Sequence, residues 1–278
     1  MKYGVATLSV VPMRKEPREQ SEMISQVLFG EHFEILDYEG SWIKIRLAFD
    51  AYIGWIDQKL SAPLSTRYYN YLNSKNAFVL ADFVKEISSK EFGKQFLSAG
   101  SSLPNYKMKL AFRIAPVSYR LHGRPDLIEP DTFRTEVIRL AKTFLNVPYL
   151  WGGRSSFGLD CSGFVQLVYK ILGIPLPRDA KDQVKLGRTE NFINEAKPGD
   201  LVFFDNEEGR IIHVGLLLDA GRIIHASGKV RIDLIDHAGI CNIDTGKYTH
   251  SLRVIKNIYD YPTIGRTQDE VQRLVFPG

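Results

Sequence analysis

Three side chains in this sequence have the types and the chain order of a thiol hydrolase: Cys161, His213 and His225. Cys161 lies in Leu159-Asp160-Cys161-Ser162-Gly163-Phe164, after the aromatic, glycine-rich approach Tyr149-Leu150-Trp151-Gly152-Gly153. Phe164, Val165, Leu167, Val168, Ile171 and Leu172 follow at the spacing of one helix face, and Gly173 and Pro175 close the run. The spacing therefore puts the thiol at a helix N-terminus. There the unpaired backbone N–H groups and the positive end of the helix dipole favour the nucleophilic thiolate. Downstream, Ile211-Ile212-His213-Val214-Gly215 and Ile223-Ile224-His225-Ala226-Ser227 each read as a strand carrying one histidine. A thiol, a histidine base and a second polar residue that orients the base are the parts of nucleophilic acyl transfer.

Blander roles compete for the same residues. A lone cysteine is most often a small buried hydrophobe, and Cys241, which follows Ile240 and precedes no helix, fits that description. Two cysteines in 278 residues form no disulfide framework, although a Cys161–Cys241 bridge is conceivable. Zinc also takes Cys and His, but no Cys-x-x-Cys or His-x-x-x-His spacing occurs, so neither a metal nor a cofactor is expected. His32, His122, His237 and His250 have no comparable setting and read as ordinary half-buried histidines.

The histidine strands must bring both rings to one face. Asp219-Ala220-Gly221 reads as a three-residue hairpin loop, so Leu218 pairs with Arg222 and Gly215 with His225. His213, two residues from Gly215, then shares a face with His225 at a diagonal of about 7–8 Å, which long side chains close. A two-residue loop would set the rings on opposite faces. With this parity His213 is the expected base and His225 the residue that orients it.

The remaining elements group into three pieces. Residues 1–62 show short β-rich stretches at Val5–Val11, Ser25–Leu28, Phe33–Tyr38, Trp42–Leu47 and Ile53–Ile56, broken at Pro17, Gly30 and Glu39-Gly40. Ile43-Lys44-Ile45-Arg46-Leu47 alternates as a half-buried strand does, and five such strands suit a small barrel. Residues 63–130 are less regular: Phe78–Phe83 and Tyr106–Ile114 read as strands and Asp82–Phe96 as partly helical, together a second, divergent barrel and a connector. From residue 131 the pattern is a helix over Thr132–Phe144, the Cys161 helix, then strands at Leu201–Phe204, at the two histidines and near Leu252–Ile255. Helices followed by an antiparallel sheet make an α+β domain over 131–278.

Composition narrows the function classes. Hydrophobic residues at 44% and charged residues at 24% are ordinary for a globular chain. The net charge of +4 arises from 36 basic and 32 acidic residues without a basic stripe, which argues against nucleic acid as a partner. No stretch approaches the ~20 apolar residues of a membrane span. The N-terminal apolar run is interrupted by Thr7, Ser9 and Pro12 and reads as a strand rather than a leader. A cytoplasmic enzyme is the resulting expectation; an exported protein that has lost its leader would look the same. Nothing in the sequence fixes an oligomeric state.

Several of these motifs together resemble the NlpC cell-wall cysteine peptidases: Tyr149-Leu150-Trp151-Gly152-Gly153, Asp160-Cys161-Ser162-Gly163-Phe164, Leu176-Pro177-Arg178-Asp179, Pro198-Gly199-Asp200-Leu201, His213-Val214-Gly215 and His225-Ala226-Ser227. In the first piece, Arg14-Lys15-Glu16-Pro17, Glu39-Gly40-Ser41-Trp42-Ile43-Lys44-Ile45 and Gly54-Trp55-Ile56 resemble a bacterial SH3-like domain, in which Trp42 and Trp55 are expected to pack rather than bind. The resemblance implies a papain-like catalytic domain preceded by one or two SH3-like barrels, with Cys161 as nucleophile, His213 as base and His225 as the orienting residue. The combination resembles the γ-D-glutamyl-L-diamino acid endopeptidases, which cut peptidoglycan stem peptides bearing a free N-terminal L-alanine. It implies the peptide L-Ala-γ-D-Glu-diamino acid as substrate, muropeptide recycling as the setting, and Asp160 and Ser162 as holders of the substrate's α-ammonium. Trp151, Tyr149 and Tyr52 are further pocket candidates by the same resemblance, and Ala180 stands where some relatives carry serine. The rival expectations are a secreted endopeptidase acting on intact wall and a wall-binding protein without catalysis.

Overall fold

A computed structural model describes residues 2–75, 77–106, 110–114, 116–128 and 133–259. The described residues divide into two units: one runs to Leu127 and takes in the segment Trp151–Ser156, and the other holds Ile128–Leu150 and residues 157–259.

In the first unit, β1 (Tyr3–Ala6), β2 (Val10–Arg14), β3 (Met23–Leu28), β4 (His32–Glu39), β5 (Trp42–Leu47), β6 (Ile53–Asp57) and β7 (Ser61–Leu64) form one antiparallel sheet. Its order is β3-β2-β6-β5-β4-β1-β7. The expected strand Val5–Val11 is two strands, because Thr7–Ser9 turns the chain between β1 and β2. Alternation sets the core: Ile43, Ile45 and Leu47 of β5 join Val11, Met13, Val27, Phe33 and Ile56, while Arg46 faces solvent. Trp55 is buried beneath the Lys44 ammonium, 5.8 Å from its ring centroid, so it packs as expected. Gly30 sits at φ +79°, and a Cβ there would lie 1.8 Å from the Ser102 carbonyl oxygen; only glycine fits this turn.

The unit continues with α1 (Thr66–Asn73), β8 (Phe78–Val79), β9 (Val84–Ser89), β10 (Gly93–Ser98), β11 (Ser102–Leu103), β12 (Ala111–Ile114) and β13 (Val117–Leu121). Ser65 caps α1 by accepting from the Tyr68 N–H at 3.2 Å. Where a partly helical Asp82–Phe96 was expected, the chain forms the β9–β10 hairpin, with Ser89 opposite Gly93 and Ile87 opposite Gln95. Ile87 and Leu97 both enter the core, and that burial outweighs the helix propensity of Lys85, Glu86, Lys90 and Glu91. Leu80, Ile87, Leu97, Leu103, Phe112, Tyr119 and Leu121 form one apolar cluster with Tyr3, Val5 and Phe29, so this region shares a core with the first strands.

After the short β14 (Arg154–Ser155) of the first unit, the second unit comprises α2 (Phe133–Thr143), β15 (Gly158–Leu159), α3 (Cys161–Ile171), α4 (Ala180–Gln183), β16 (Arg188–Glu190), β17 (Leu201–Asp205), β18 (Ile211–Asp219), β19 (Arg222–Ser227), β20 (Lys229–Ile235), β21 (Gly239–Cys241) and β22 (Tyr248–Asn257). Strands β22-β17-β18-β19-β20-β21 are antiparallel neighbours, and a β21–β22 pairing closes them into a barrel, with β16 added outside β22. Val202, Phe204, Leu217, Ile223, Ile235, Ile240 and Ile255 fill one apolar cluster of this barrel. The apolar helix α3, buried from Ser162 to Ile171, packs on β18 and β19. This is the helix-then-sheet arrangement expected of an α+β domain. Among the described residues no helix is long and apolar enough to cross a membrane.

Candidate active site

Cys161 opens α3. Asp160, in extended conformation, is the N-cap, and its Oδ1 accepts from the Gly163 N–H at 2.7 Å. The same carboxylate is ion-paired with Arg178, which the sequence had shown only as part of a motif. Arg178 Nη1 donates to Asp160 Oδ1 at 3.0 Å and to Ser162 Oγ at 3.0 Å, and Nη2 donates to Asp160 Oδ2. Ser162 Oγ also lies 3.3 Å from Asp160 Oδ1. Gln183 of α4 donates to the Ser162 and Pro177 carbonyls at 3.1 and 2.8 Å, tying the Pro177–Arg178 segment to the start of α3. Asp160, Ser162 and Arg178 are all buried.

The electrostatics at the sulfur differ from the expectation of a thiolate. Cys161 retains some accessible surface, yet protein packed around the sulfur pushes its thiol up to about 11, and the Asp160 carboxylate adds to the rise. The backbone N–H groups of Ser162 and Val214, and the Arg178 guanidinium, pull the other way without overcoming it. The helix start stabilises the anion as anticipated, but desolvation and the adjacent carboxylate outweigh it. Burial and the adjacent carboxylate therefore bias Cys161 toward the thiol. Tyr149 shares the neighbourhood: burial, then the Cys161 and Asp160 charges, push its phenol up to about 12.

The two histidines reach one face by a route other than the one expected. Asp219 pairs with Arg222 across the two-residue loop Ala220-Gly221, and a bulge at Leu218 absorbs the extra residue, so that Leu217 faces Ile223 and Gly215 faces His225. The shorter loop alone would have put the rings on opposite faces; the bulge restores the parity. His213 Nε2 lies 2.8 Å from His225 Nδ1, and both rings are buried, His213 with 5% of its surface exposed. Burial holds the His213 imidazole well below its ordinary value, reinforced by His225 and then His250, so it is neutral. Because Cys161 Sγ lies against the Val214 N–H, the residue after His213 on β18, the strand carrying His213 also touches the sulfur.

Two residues of this cluster escaped the sequence reading. His250 of β22 stacks on His213 with centroids 4.2 Å apart and planes at 26°, and burial, followed by the nearby His225, lowers it to about 4. Asp233 of β20 lies 2.9 Å from His225 Nε2 through its Oδ2. Burial acts to raise Asp233, but bonds from His225, Arg231 and the Ile243 N–H win and hold it at about 2.

Cys161, Asp160, Ser162 and Tyr149 thus gather at the start of α3, with His213 and His225 on the sheet of the same unit. Trp151 and Tyr52 belong to the first unit. There the Trp151 ring is 61% exposed and its Nε1 donates to Glu22 Oε1 at 2.8 Å, while Tyr52 packs against the core cluster of the first sheet. Among the described residues no group of three His, Cys, Asp or Glu side chains is placed to hold a metal ion.

Comparison with known proteins gives the family and the fold. Residues 146–250 match the NlpC/P60 family, and residues 13–59 match the bacterial dipeptidyl-peptidase Sh3 domain. The gamma-D-glutamyl-L-lysine dipeptidyl-peptidase of Bacillus subtilis is 30% identical over 226 residues, covering 73% of this chain and 71% of the relative. Dipeptidyl-peptidase 6 of Lysinibacillus sphaericus is 26% identical over 242 residues, 80% of this chain and 87% of the relative. A crystal structure of an NlpC/P60 family protein from Bacillus cereus shares the fold, with a TM-score of 0.73 at 19% identity over 92% of this chain and 99% of that one.

Proposed function

Since the chain belongs to the NlpC/P60 family of cysteine peptidases, we propose that it hydrolyses the γ-D-glutamyl–diamino acid bond of peptidoglycan stem peptides bearing a free N-terminal L-alanine. The observation that carries the reading is the juxtaposition of Cys161, at a capped helix start against the Val214 N–H, with His213 on the same strand and His225 2.8 Å behind it.

Both partners start uncharged, so proton transfer accompanies attack. His213 takes the thiol proton as Cys161 Sγ bonds to the γ-carbonyl carbon, and the carbonyl π electrons move onto oxygen. Backbone N–H groups at the start of α3 stabilise that oxyanion. When the oxyanion collapses, the C–N bond breaks and the His213 proton passes to the departing amine of the diamino acid. His213 then deprotonates a water that attacks the thioester. The resulting second oxyanion collapses, the C–S bond breaks, the sulfur retakes the proton from His213, and the γ-carboxylic acid leaves and ionises. His225 holds the His213 ring in place through the 2.8 Å bond at its Nε2.

Asp160 and Ser162 are the groups proposed to receive the substrate's α-ammonium. Arg178 already neutralises Asp160, so the selectivity rests on directed acceptors rather than on a net negative pocket. A free α-amine exists only after the stem peptide has left the glycan, so the proposed selectivity implies turnover of released stem peptides.

Cleavage of L-Ala-γ-D-Glu-diaminopimelate, with and without N-acetylation, tests the reading. Release of L-Ala-D-Glu from the free peptide alone, abolished in Cys161→Ala, is expected. Equal cleavage of both peptides would replace it with a general wall endopeptidase, and cleavage of neither with a binding protein.

A further inference from the structure

His225 has a hydrogen-bonding partner on each side. Its Nε2 is 2.9 Å from Asp233 Oδ2 and its Nδ1 is 2.8 Å from His213 Nε2. Asp233 is 1% exposed and anchored from several directions. Its Oδ1 accepts from the Ile243 N–H at 2.9 Å and from Arg231 Nη2 at 2.8 Å, and Arg231 Nε lies 2.7 Å from its Oδ2. Arg231 Nη2 is itself held by Asp244 at 2.8 Å. An ionised carboxylate can only accept, so the hydrogen between Asp233 and His225 sits on His225 Nε2. A neutral His225 then has a bare Nδ1, which must accept from His213. That leaves His213 with its proton on Nε2 and a lone pair on Nδ1.

We propose that Asp233 is a positioning residue that dictates, through His225, which nitrogen of His213 serves as the base toward Cys161. The inference rests on the peptidase reading for the role of His213, but the proton arrangement itself does not depend on the substrate. The chain of cause runs Asp233, His225 Nε2–H, His225 Nδ1, His213 Nε2–H, His213 Nδ1. Each link fixes the next because each nitrogen holds one proton or one lone pair.

The network also dictates what an amide would do at this position. In Asp233→Asn the Ile243 N–H and Arg231 Nη2 both point at the Oδ1 position, two donors against the single Arg231 Nε at the Oδ2 position, so the amide oxygen is held at the first. The NH2 group then faces His225 Nε2, which has to accept. The His225 proton moves to Nδ1, where it donates to His213 Nε2, and the His213 proton is driven onto Nδ1. The base nitrogen is thereby blocked with no atom added to the cluster.

The test is a two-bond 1H–15N correlation spectrum of the full chain labelled with 15N-histidine, recorded at neutral pH alongside steady-state peptide cleavage. In the wild type, Nε2–H tautomers are expected for both His213 and His225. In Asp233→Asn, Nδ1–H tautomers of both are expected, with kcat lower by about 10³–10⁴-fold and KM within about threefold. Alkylation of Cys161 by iodoacetamide should slow in parallel. A wild type in which His213 carries its proton on Nδ1, or in which His225 is doubly protonated, overturns the proposal without any variant. So does an Asp233→Asn protein that keeps the wild-type tautomers, whatever its activity. If the wild type shows the expected tautomers but cleaves no γ-glutamyl peptide, the proposed substrate fails while the assignment of the base nitrogen stands.

Discussion

The two ends of the candidate active site are built on opposite electrostatic plans. At the start of α3 the sulfur sits among full charges: Asp160 is ion-paired with Arg178, and the carboxylate helps to push the thiol up to about 11. On the sheet, His213 and His250 are neutral imidazoles in contact, and the Asp233 carboxylate, paired with Arg231, meets His225 rather than His213. The comparison teaches that neither end is reactive alone. The surroundings of Cys161, the proposed nucleophile, favour the thiol, and those of His213, the proposed base, favour the neutral imidazole that can accept its proton. Catalytic competence lies in joining the two across Val214, where the sulfur meets the strand that carries His213.

The comparison breaks most completely when either end is removed. Cys161→Ala and His213→Ala should each lower kcat for peptide cleavage by about 10⁴-fold or more, and the double variant should be no worse than the poorer single one, because the pair acts as a unit. An additive double variant would show that the two ends work independently.

Arg178→Met attacks the charged end alone. It leaves the buried Asp160 carboxylate without its counter-ion, which costs about 3–5 kcal/mol of stability, read as a lower midpoint in urea unfolding. The reciprocal change, Asp160→Asn, removes the negative charge that raises the thiol. It should shift the pH dependence of Cys161 alkylation downward while raising KM for the free peptide by about 10–100-fold. An upward shift would contradict the role given to the carboxylate.

The smallest effect belongs to the neutral end. His250 is lowered to about 4 in the folded chain, whereas in the unfolded chain it titrates near its ordinary value of about 6.5. Between these values the unfolded chain binds more protons, so stability falls as the pH drops from about 6.5 toward 4 and loses nothing further from this group below that. His250→Gln should reduce that slope in unfolding free energy, and an unchanged slope would show that His250 is already charged when folded.

How much of this was legible varies with the physics involved. The Cys161 helix was readable because its apolar face repeats at helical spacing and its end is marked by Gly173, at φ +80°. The shared face of His213 and His225 was also readable, but through the wrong turn: a three-residue loop and a two-residue loop with a bulge at Leu218 give the same pairing. Asp233 was hidden by its own strand. Lys229-Val230-Arg231-Ile232-Asp233-Leu234-Ile235 alternates polar and apolar, which reads as Asp233 facing water and Leu234 facing the core. The structure has the reverse, with Leu234 46% exposed and Asp233 buried, because hydrogen bonds from His225 and the Ile243 N–H and the Arg231 ion pair replace its hydration. Arg178 was visible as a motif residue, but the bond to Asp160 joins positions 18 residues apart with a helix between them, a contact no local pattern encodes. The hairpin at Val84–Ser98 was missed because its charged residues favour helix until Ile87 and Leu97 find a core to enter.

The pH dependence of Cys161 alkylation by iodoacetamide in the free enzyme, with Cys161→Ala subtracted to remove the contribution of Cys241, tests the neutral-pair account most directly. With a neutral pair the rate climbs steadily through pH 7 toward the thiol's own ionisation at about 11. A rate already at its plateau at pH 7 would show a preformed thiolate–imidazolium pair and contradict it.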